Sequence, residues 1–163
     1  HINLHYETIK LEPYLDRITS KFAGLAKDKG VLIELHVNDG DTAWNLDPDR
    51  IEQVLTNLID NAIRHTPNGG GITIRQNIIN GSLLHLEVKN TGPGIPAEDL
   101  PFIFERFYKA DKARTRGHSG KGTGLGLAIA QNIVKAHKGE ISVESLEGKE
   151  TTFSFTIPQF MQG

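Results

Sequence analysis

The stretch from Asp47 to Thr66, with the sequence DPDRIEQVLTNLIDNAIRHT, decides the fold prediction. Asp47 is a residue type that caps free backbone N–H groups, and Pro48 suits the first position of a helix. Apolar residues then recur at helical spacing, which predicts one buried face formed by Ile51, Val54, Leu55, Leu58, Ile59, Ala62 and Ile63. The segment Pro67-Asn68-Gly69-Gly70 predicts the end of the helix.

A row of polar residues runs along the same helix beside the apolar face. It contains Gln53, Asn57 and Asn61, followed by Arg64 and His65. Asn is disfavoured in helix interiors because its amide competes with the backbone for hydrogen bonds. A solvated surface would explain one such residue. For two of them one turn apart, followed by Arg64, we favour a polar site whose amide oxygens bind a hard cation such as Mg2+.

The length and composition of the chain restrict the class of protein to which it can belong. Its 163 residues favour one domain with a real core, and the net charge of −2 argues against nucleic acid as the main partner. The sequence has no cysteine, which excludes disulfides and thiolate metal sites. No apolar run is long enough to span a membrane, and the start does not resemble a signal peptide. Because the first residue is His1, we expect a fragment of a longer protein.

Hydrophobic periodicity also predicts the elements before this helix. Ile2, Leu4 and Tyr6 alternate with polar residues and predict a short strand. A helix is expected over residues 13–29, with an inner face formed by Tyr14, Leu15, Ile18, Phe22, Leu25 and Ala26. Residues 31–37 predict a second strand, and a turn at 38–41 allows residues 42–46 to return as a third.

The second half of the chain predicts two hairpins and further helices. The first hairpin surrounds Asn80-Gly81, one or two short helices follow over 96–108, and a longer helix covers 124–137. The last hairpin pairs residues 141–146 with 152–157. This order predicts an α+β fold over residues 1–163, a two-layer sandwich whose mixed, mostly antiparallel sheet is covered on one face by three helices.

Two glycine-rich stretches suggest a site for a nucleotide. GKGTGLGLA, Gly120 to Ala128, opens the last long helix, so that backbone N–H groups and the helix N-terminus can bind phosphate. The stretch lacks the spacing of a Walker motif and does not directly follow a strand, which disfavours a Rossmann site. NTGPGI, Asn90 to Ile95, adds a polar base reader and a close backbone approach. With the Asn pair, these stretches supply the groups that a nucleotide and its cation require.

The motifs together resemble the catalytic ATP-binding domain of bacterial sensor histidine kinases, in the superfamily of gyrase, Hsp90 and MutL. Asn57 to Asn61 matches the N box, and NTGPGI the first glycine box. PFIFERFYKAD, Pro101 to Asp111, matches the F box. GKGTGLGL matches the second glycine box, and GKETTF, Gly148 to Phe153, resembles the third. The stretches DPDRIEQVLTNLIDNAIRHT and LPFIFERFYKADKARTRG are most similar to those of respiration-regulating sensor kinases of Gram-positive bacteria. The resemblance implies the Bergerat fold and covers nearly the whole chain.

The resemblance also implies residue roles. Asn61 is expected to bind Mg2+, Asn57 to lie beside the phosphates of ATP, and Arg64 and His65 to stand where a basic and a phosphate-contacting residue usually stand. Asn90 is expected to read the adenine amine. The other residues expected at the nucleotide are Ile95, Leu125 and Thr152 at the base, Lys109 and Arg106 at the terminal phosphate, and Tyr108, Gly92, Gly94, Gly120, Lys121, Gly122, Thr123, Gly124, Gly126 and Leu127. Residues 109–121 correspond to the mobile ATP lid, which we expect ATP to order in part.

Three departures from the family pattern matter. Asn90 replaces a usual Asp, and its amide could turn toward a guanine carbonyl, so we expect weaker ATP binding and a smaller preference over GTP. Glu150 replaces a usual Gly. None of the seven histidines has the surroundings of a phosphoacceptor site. We therefore expect the ATP-binding half of a kinase, unable to phosphorylate itself.

Four functions follow as hypotheses. The leading one is a catalytic domain that donates the γ-phosphate of ATP to a His on a separate hairpin, which then phosphorylates a response regulator. The full-length protein is then expected to be a membrane-anchored homodimer with this domain in the cytoplasm, without membrane contact by the fragment. The alternatives are a hydrolytic ATPase of the gyrase and Hsp90 kind, a non-catalytic nucleotide-dependent docking module, and a serine kinase that restrains a sigma factor. Asn57 occupies the position of the hydrolytic Glu, and an amide is no general base.

Overall fold

The computed structural model describes residues 2–105 and 125–160. The strands and helices are, in order along the chain, β1 (Glu7–Lys10), α1 (Leu11–Ser20), α2 (Ala23–Lys29), β2 (Leu32–Val37), β3 (Ala43–Leu46), α3 (Pro48–His65), β4 (Gly71–Ile79), β5 (Leu83–Thr91), a 3-10 helix (Leu100–Phe102), α4 (Gly126–Ala136), β6 (Ile141–Leu146) and β7 (Glu150–Pro158).

Five strands form one mixed sheet in the order β2-β4-β5-β7-β6. β2 pairs with β4 in parallel, and the other pairs are antiparallel. Most inward positions of β4, β5 and β7 are apolar and buried, with Ile72, Ile74, Leu84, Leu86, Val88, Phe153, Phe155 and Ile157 facing the helices. The predicted two-layer α+β architecture with a mostly antiparallel sheet and helices on one face is therefore confirmed.

The central helix α3 follows its prediction closely. The Asp47 carboxylate accepts a hydrogen bond from the Arg50 N–H at 3.1 Å, and Pro48 is the first helical residue. All seven predicted apolar residues are buried. The Lys29 ammonium donates to the carbonyl oxygens of Ile63 and Arg64, at 2.8 and 3.1 Å, and so satisfies backbone acceptors at the C-terminal end of the helix.

The helix predicted over residues 13–29 is two helices, so the described residues contain four α-helices, besides the short 3-10 helix, rather than three. The chain turns at Lys21 and Phe22, where Phe22 has ψ near 0° and its N–H donates to the Thr19 carbonyl at 3.0 Å. This turn rotates α2 relative to α1. As a result Ala26 is buried, whereas Leu25 is 54% exposed, and the predicted inward orientation of Leu25 is wrong.

The first strands also differ from the prediction. Residues 2–6 are not a strand; β1 begins at Glu7 and pairs antiparallel with β3 in a separate two-stranded sheet. The expected hairpin between β2 and β3 does not form. Instead the buried Gln76 side chain accepts hydrogen bonds from the N–H groups of Asn38 and Asp39, at 3.1 and 2.9 Å. These bonds tie the turn after β2 to β4 and direct the chain away from β2.

The last two hairpins match their predictions. β4 and β5 flank Asn80-Gly81, where both turn residues have positive φ, and β6 and β7 flank the turn at Glu147 to Lys149. Only the short 3-10 helix lies in the described part of the region 96–108. No helix within the described ranges is long and apolar enough to cross a membrane.

Three segments of the chain meet at Asp47. Its second carboxylate oxygen accepts from the His5 N–H at 2.8 Å, and its own N–H donates to Nε2 of the buried His137 at 3.0 Å. Nδ1 of His137 therefore carries the hydrogen and donates to the Ile133 carbonyl at 2.9 Å. The Tyr6 ring packs between the rings of His137 and Phe160. The neutral imidazole thus joins the N-terminal segment, the start of α3 and the end of α4.

Burial lowers the pKa of His137, against the smaller opposing effects of the Ile133 carbonyl and the Asp47 carboxylate. Between this lowered value and the unfolded value of about 6.5, the unfolded chain binds more protons, so stability falls as pH decreases. We predict that His137→Gln, whose amide oxygen can accept from Asp47 without titrating, flattens the fall in unfolding free energy from pH 7 to 5. Denaturant titrations measure it, with His85→Gln on the outer face as control. Equal slopes in wild type and His137→Gln would contradict the assignment.

Candidate functional site

The polar row of α3 lies next to the start of α4. The Asn57 amide nitrogen donates to the Gly126 carbonyl oxygen at 3.0 Å. A Cβ atom on Gly126 would lie 3.7 Å from Cγ of Asn57, so the two helices approach closely here. Because a carbonyl only accepts, this contact identifies the amide nitrogen, and the Asn57 oxygen is the acceptor of this side chain. Asn61 follows one turn later on the same side of α3 and is half-buried.

The basic residue of the row is partly enclosed. Arg64 forms an ion pair with Asp60 at 3.8 Å, on the same helix. Its Nε atom is buried and has no hydrogen-bond partner within the described ranges. A buried guanidinium nitrogen without a partner is costly, and an anion at this place would satisfy it. His65 is exposed at the end of α3 and forms its own contacts.

The loop after β5 packs against the end of α3 and the turn between β6 and β7. A Cβ atom on Gly92 would lie 2.7 Å from the His65 carbonyl oxygen, so only glycine fits without a shift. The Gly92 N–H donates to the Lys149 carbonyl at 3.0 Å, and the Gly148 N–H donates to the Pro93 carbonyl at 2.6 Å. Gly94 has φ of 77° and lies against Leu146. The loop is thereby held at the polar row.

Asn90 lies at the end of β5 and is 5% exposed. Its amide nitrogen donates to the Thr91 carbonyl at 3.1 Å. A carbonyl only accepts, so this contact identifies the nitrogen, and the other amide atom, the oxygen, is the acceptor that Asn90 can offer. Turning the amide to donate toward a guanine carbonyl, as the sequence suggested, would break this bond.

The neighbour of Asn90 on β7 is Thr151, not Thr152. The register pairs Asn90 with Thr151, and Lys89 with Thr152. Because side chains alternate across a strand, Thr151 shares the helix-covered face with Asn90 and is buried, whereas Thr152 lies on the opposite face. The resemblance implied Thr152 at the base, and the register instead places Thr151 on the face that Asn90 occupies. The alternation of Phe153, Phe155 and Ile157 as core residues was the sequence signal for Thr151.

Several predicted residues have only a partial description. Ile95 and Leu127 are half-buried and pack against the core. Leu125 is half-buried, and its carbonyl accepts from the Ile129 N–H at 2.8 Å. Outside the described residues lie Arg106, Tyr108, Lys109, Gly120, Lys121, Gly122, Thr123, Gly124 and the lid at 109–121.

The arrangement brings the asparagine row, the glycine loop, Asn90 and the start of α4 together at one end of a two-layer sandwich. This combination is the Bergerat ATPase architecture. The family model of histidine kinase-, DNA gyrase B- and HSP90-like ATPases matches residues 46–160. The chain belongs to that family.

Its sequence relatives include two sensor kinases. The sensor histidine kinase WalK of Bacillus subtilis is 42% identical over 153 residues, which are 93% of this chain and 24% of WalK. The sensor protein SrrB of Staphylococcus aureus is 42% identical over 158 residues, 97% of this chain and 26% of SrrB. The expected likeness to Gram-positive sensor kinases is confirmed. The chain spans about a quarter of the length of these relatives.

Solved structures agree with this classification. The catalytic domain of histidine kinase ThkA has a TM-score of 0.82 at 29% identity, with 96% of this chain and 99% of that chain covered. Full-length ShkA in complex with AMPPNP has a TM-score of 0.86 at 27% identity, with 99% of this chain and 33% of that chain covered. ThkA in complex with the response regulator protein TrrA has a TM-score of 0.78 at 28% identity, with 95% and 42% covered.

The close packing at Gly92 yields a prediction. Gly92→Ala forces its methyl group against the His65 carbonyl, so we expect a loss of about 1–3 kcal/mol of stability and weaker nucleotide binding. Chemical denaturation and calorimetry measure the two effects. Gly24→Ala is the matched control, because its methyl group would have no atom within 4 Å apart from neighbouring residues and the backbone of its own helix. Wild-type stability and affinity in Gly92→Ala would show that the loop can move away from α3 at no cost.

Proposed function

We propose that the chain binds Mg-ATP and donates its γ-phosphate to a histidine on a separate phosphoacceptor hairpin. The observation that carries this proposal is the hydrogen bond between Asn57 and Gly126, because it joins the polar row of α3 to the helix start that follows the glycine-rich stretch. The buried Nε of Arg64, which has no hydrogen-bond partner among the residues that the structure describes, supports an anion beside that row. The kinship with WalK and SrrB supports a kinase.

The proposal assigns a part of the nucleotide to each group. Mg2+ would be held by the Asn61 amide oxygen together with phosphate oxygens and water, and it would neutralise charge on the phosphates. Asn57, Arg64 and His65 would contact the phosphates. Asn90 and Thr151 would face the base, with Ile95 and Leu125 beside it. On the resemblance alone, the same proposal includes Arg106, Tyr108, Lys109, the lid at 109–121, and the glycine-rich residues 120–126.

Phosphotransfer is favoured over hydrolysis by the chemistry of Asn57. A hydrolytic relative needs a carboxylate at this position to take a proton from water. Asn57 is an amide, and its nitrogen is already bound to the Gly126 carbonyl. An amide in this position orients neighbouring groups but does not accept a proton. We therefore expect negligible ATP hydrolysis by the chain.

The proposed context is a two-component signalling protein. The chain, taken as one catalytic domain over residues 1–163, would act on a hairpin of the same full-length kinase, which would pass the phosphoryl group to a response regulator. A homodimer anchored in the bacterial membrane, with this domain on the cytoplasmic side, is part of the proposal. It rests on the relatives, of which this chain spans about a quarter.

The deciding experiment mixes the chain with a separately produced phosphoacceptor hairpin and γ-labelled ATP. We predict Mg-dependent, acid-labile phosphohistidine on the hairpin and no label on the chain alone. Asn61→Ala should weaken Mg-ATP binding by at least about tenfold, because loss of a residue that only supports a metal ligand already lowers metal affinity by that factor. Asn132→Ala, an exposed asparagine on α4, is the matched control. Tight binding without label transfer would favour the docking module, and Mg-dependent phosphate release abolished by Asn61→Ala would favour the hydrolase.

A second prediction concerns the strength of the base contact. Asn90 offers a neutral acceptor, and Asn90→Asp would offer a charged one, which binds an amine more strongly and repels a guanine carbonyl. We predict tighter ATP binding by roughly 1 kcal/mol and a wider preference for ATP over GTP. Competition binding of both nucleotides to wild type and Asn90→Asp measures the change. Identical ratios would mean that the charge at this position does not set selectivity.

A further inference from the structure

Three polar side chains form a row across three strands beside the glycine loop. The register pairs Asn90 of β5 with Thr151 of β7, and Thr151 with Ser145 of β6. Paired residues of neighbouring strands point to the same face of a sheet, so Ser145 lies on the helix-covered face with the other two. The row stands at the end of the sheet where the proposed function places the base.

Ser145 is the most connected member of the row. Its hydroxyl oxygen accepts from the Ile95 N–H at 2.7 Å, which fixes the glycine loop. The same oxygen lies 3.1 Å from the Glu150 carbonyl and 3.2 Å from the Thr151 hydroxyl. A serine hydroxyl has one hydrogen to donate and two lone pairs that accept.

These contacts fix where the hydrogens lie. The Glu150 carbonyl can only accept, so the hydrogen of Ser145 belongs to that bond. The oxygen of Ser145 then accepts from the Ile95 N–H and, with its second lone pair, from the Thr151 hydroxyl. Once its hydrogen is bound to Ser145, Thr151 has only lone pairs left for any other group.

Asn90 is polarised in the same sense. Its amide nitrogen donates to the Thr91 carbonyl, which fixes the orientation of the amide and makes the oxygen its acceptor. We propose that Ser145 is a positioning residue that sets base specificity: by accepting the hydrogen of Thr151, it makes Thr151 and Asn90 a pair of acceptors. Such a pair binds a purine with an exocyclic amine and opposes one with a carbonyl at that ring position. The proposal rests on the proposed nucleotide site.

The test compares ATP with inosine triphosphate, which carries a carbonyl in place of the adenine amine. Displacement of a fluorescent ATP analogue gives both dissociation constants. Ser145→Ala frees the Thr151 hydroxyl to donate toward that carbonyl, so the preference for ATP should fall by about fivefold, the value of one neutral hydrogen bond. Ser142→Ala is the matched control, because Ser142 also pairs with a hydroxyl of β7, that of Ser154 at 3.2 Å, but on the outer face. Its preference should equal that of wild type.

A double mutant separates positioning from a general structural effect. Thr151→Val removes the hydroxyl through which Ser145 acts, so adding Ser145→Ala to Thr151→Val should leave the preference unchanged. An unchanged preference in Ser145→Ala, or a further fall in the double mutant, overturns the proposal. If thermal unfolding shows that Ser145→Ala does not fold, Ser145→Cys takes its place. Its sulfur is a weaker acceptor, so the preference for ATP should fall by less than about fivefold. An unchanged preference in Ser145→Cys overturns the proposal. A wild-type chain that binds neither nucleotide refutes the proposed function itself.

Discussion

The burial of one face of α3 against the sheet is the constraint on which the rest of the structure depends. Seven apolar side chains on this face are buried, and together they fix the rotation of the helix about its axis. With that rotation fixed, Asn57, Asn61 and Arg64 must lie along the flank next to the core. The same packing sets the distance at which α4 can begin, and the contact between Asn57 and Gly126 is its result.

Helical spacing positions the residues at one end of the site, and strand register positions those at the other end. The proposed phosphate end depends on helical spacing, because residues four apart stack along one side. The proposed base end depends on strand register, because Asn90, Thr151 and Ser145 meet only when three strands pair in one alignment. A shift of one residue in β7 would bring Thr152 beside Asn90 and turn Thr151 to the outer face. Register is therefore as important for the site as any single side chain.

The sequence predicted those parts of the fold whose pattern is local. The helical spacing of the seven apolar residues predicts α3 directly. The turn residues Asn80-Gly81 predict the hairpin in the same way. The two residues at which the chain turns, Lys21 and Phe22, are neither Gly nor Pro, so the break was not predicted and the exposure of Leu25 was missed. The turn that leads the chain from β2 toward β3 is held by Gln76, a polar residue whose partners are far away in the sequence.

The candidate site shows the same division. Asn57, Asn61 and Asn90 could be named from the sequence because residue type and spacing were enough. Thr152 was chosen instead of Thr151 because the matching motif fixes the segment but not which face each residue occupies. The orientation of the Asn90 amide and the role of Ser145 depend on hydrogen bonds to carbonyl groups, which no residue pattern reveals.

The junction at Asp47 has a mechanical consequence. α3 and α4 are bound to each other near the middle of one and the start of the other, through Asn57 and Gly126, and again at Asp47 and His137. Two rods fastened at two points form a closed frame that deforms as a unit. Residues 2–6 contact both helices at one of these two points, because the His5 N–H donates to Asp47 and the Tyr6 ring packs on His137. A force applied to this segment is therefore transmitted to α3 and to α4 together.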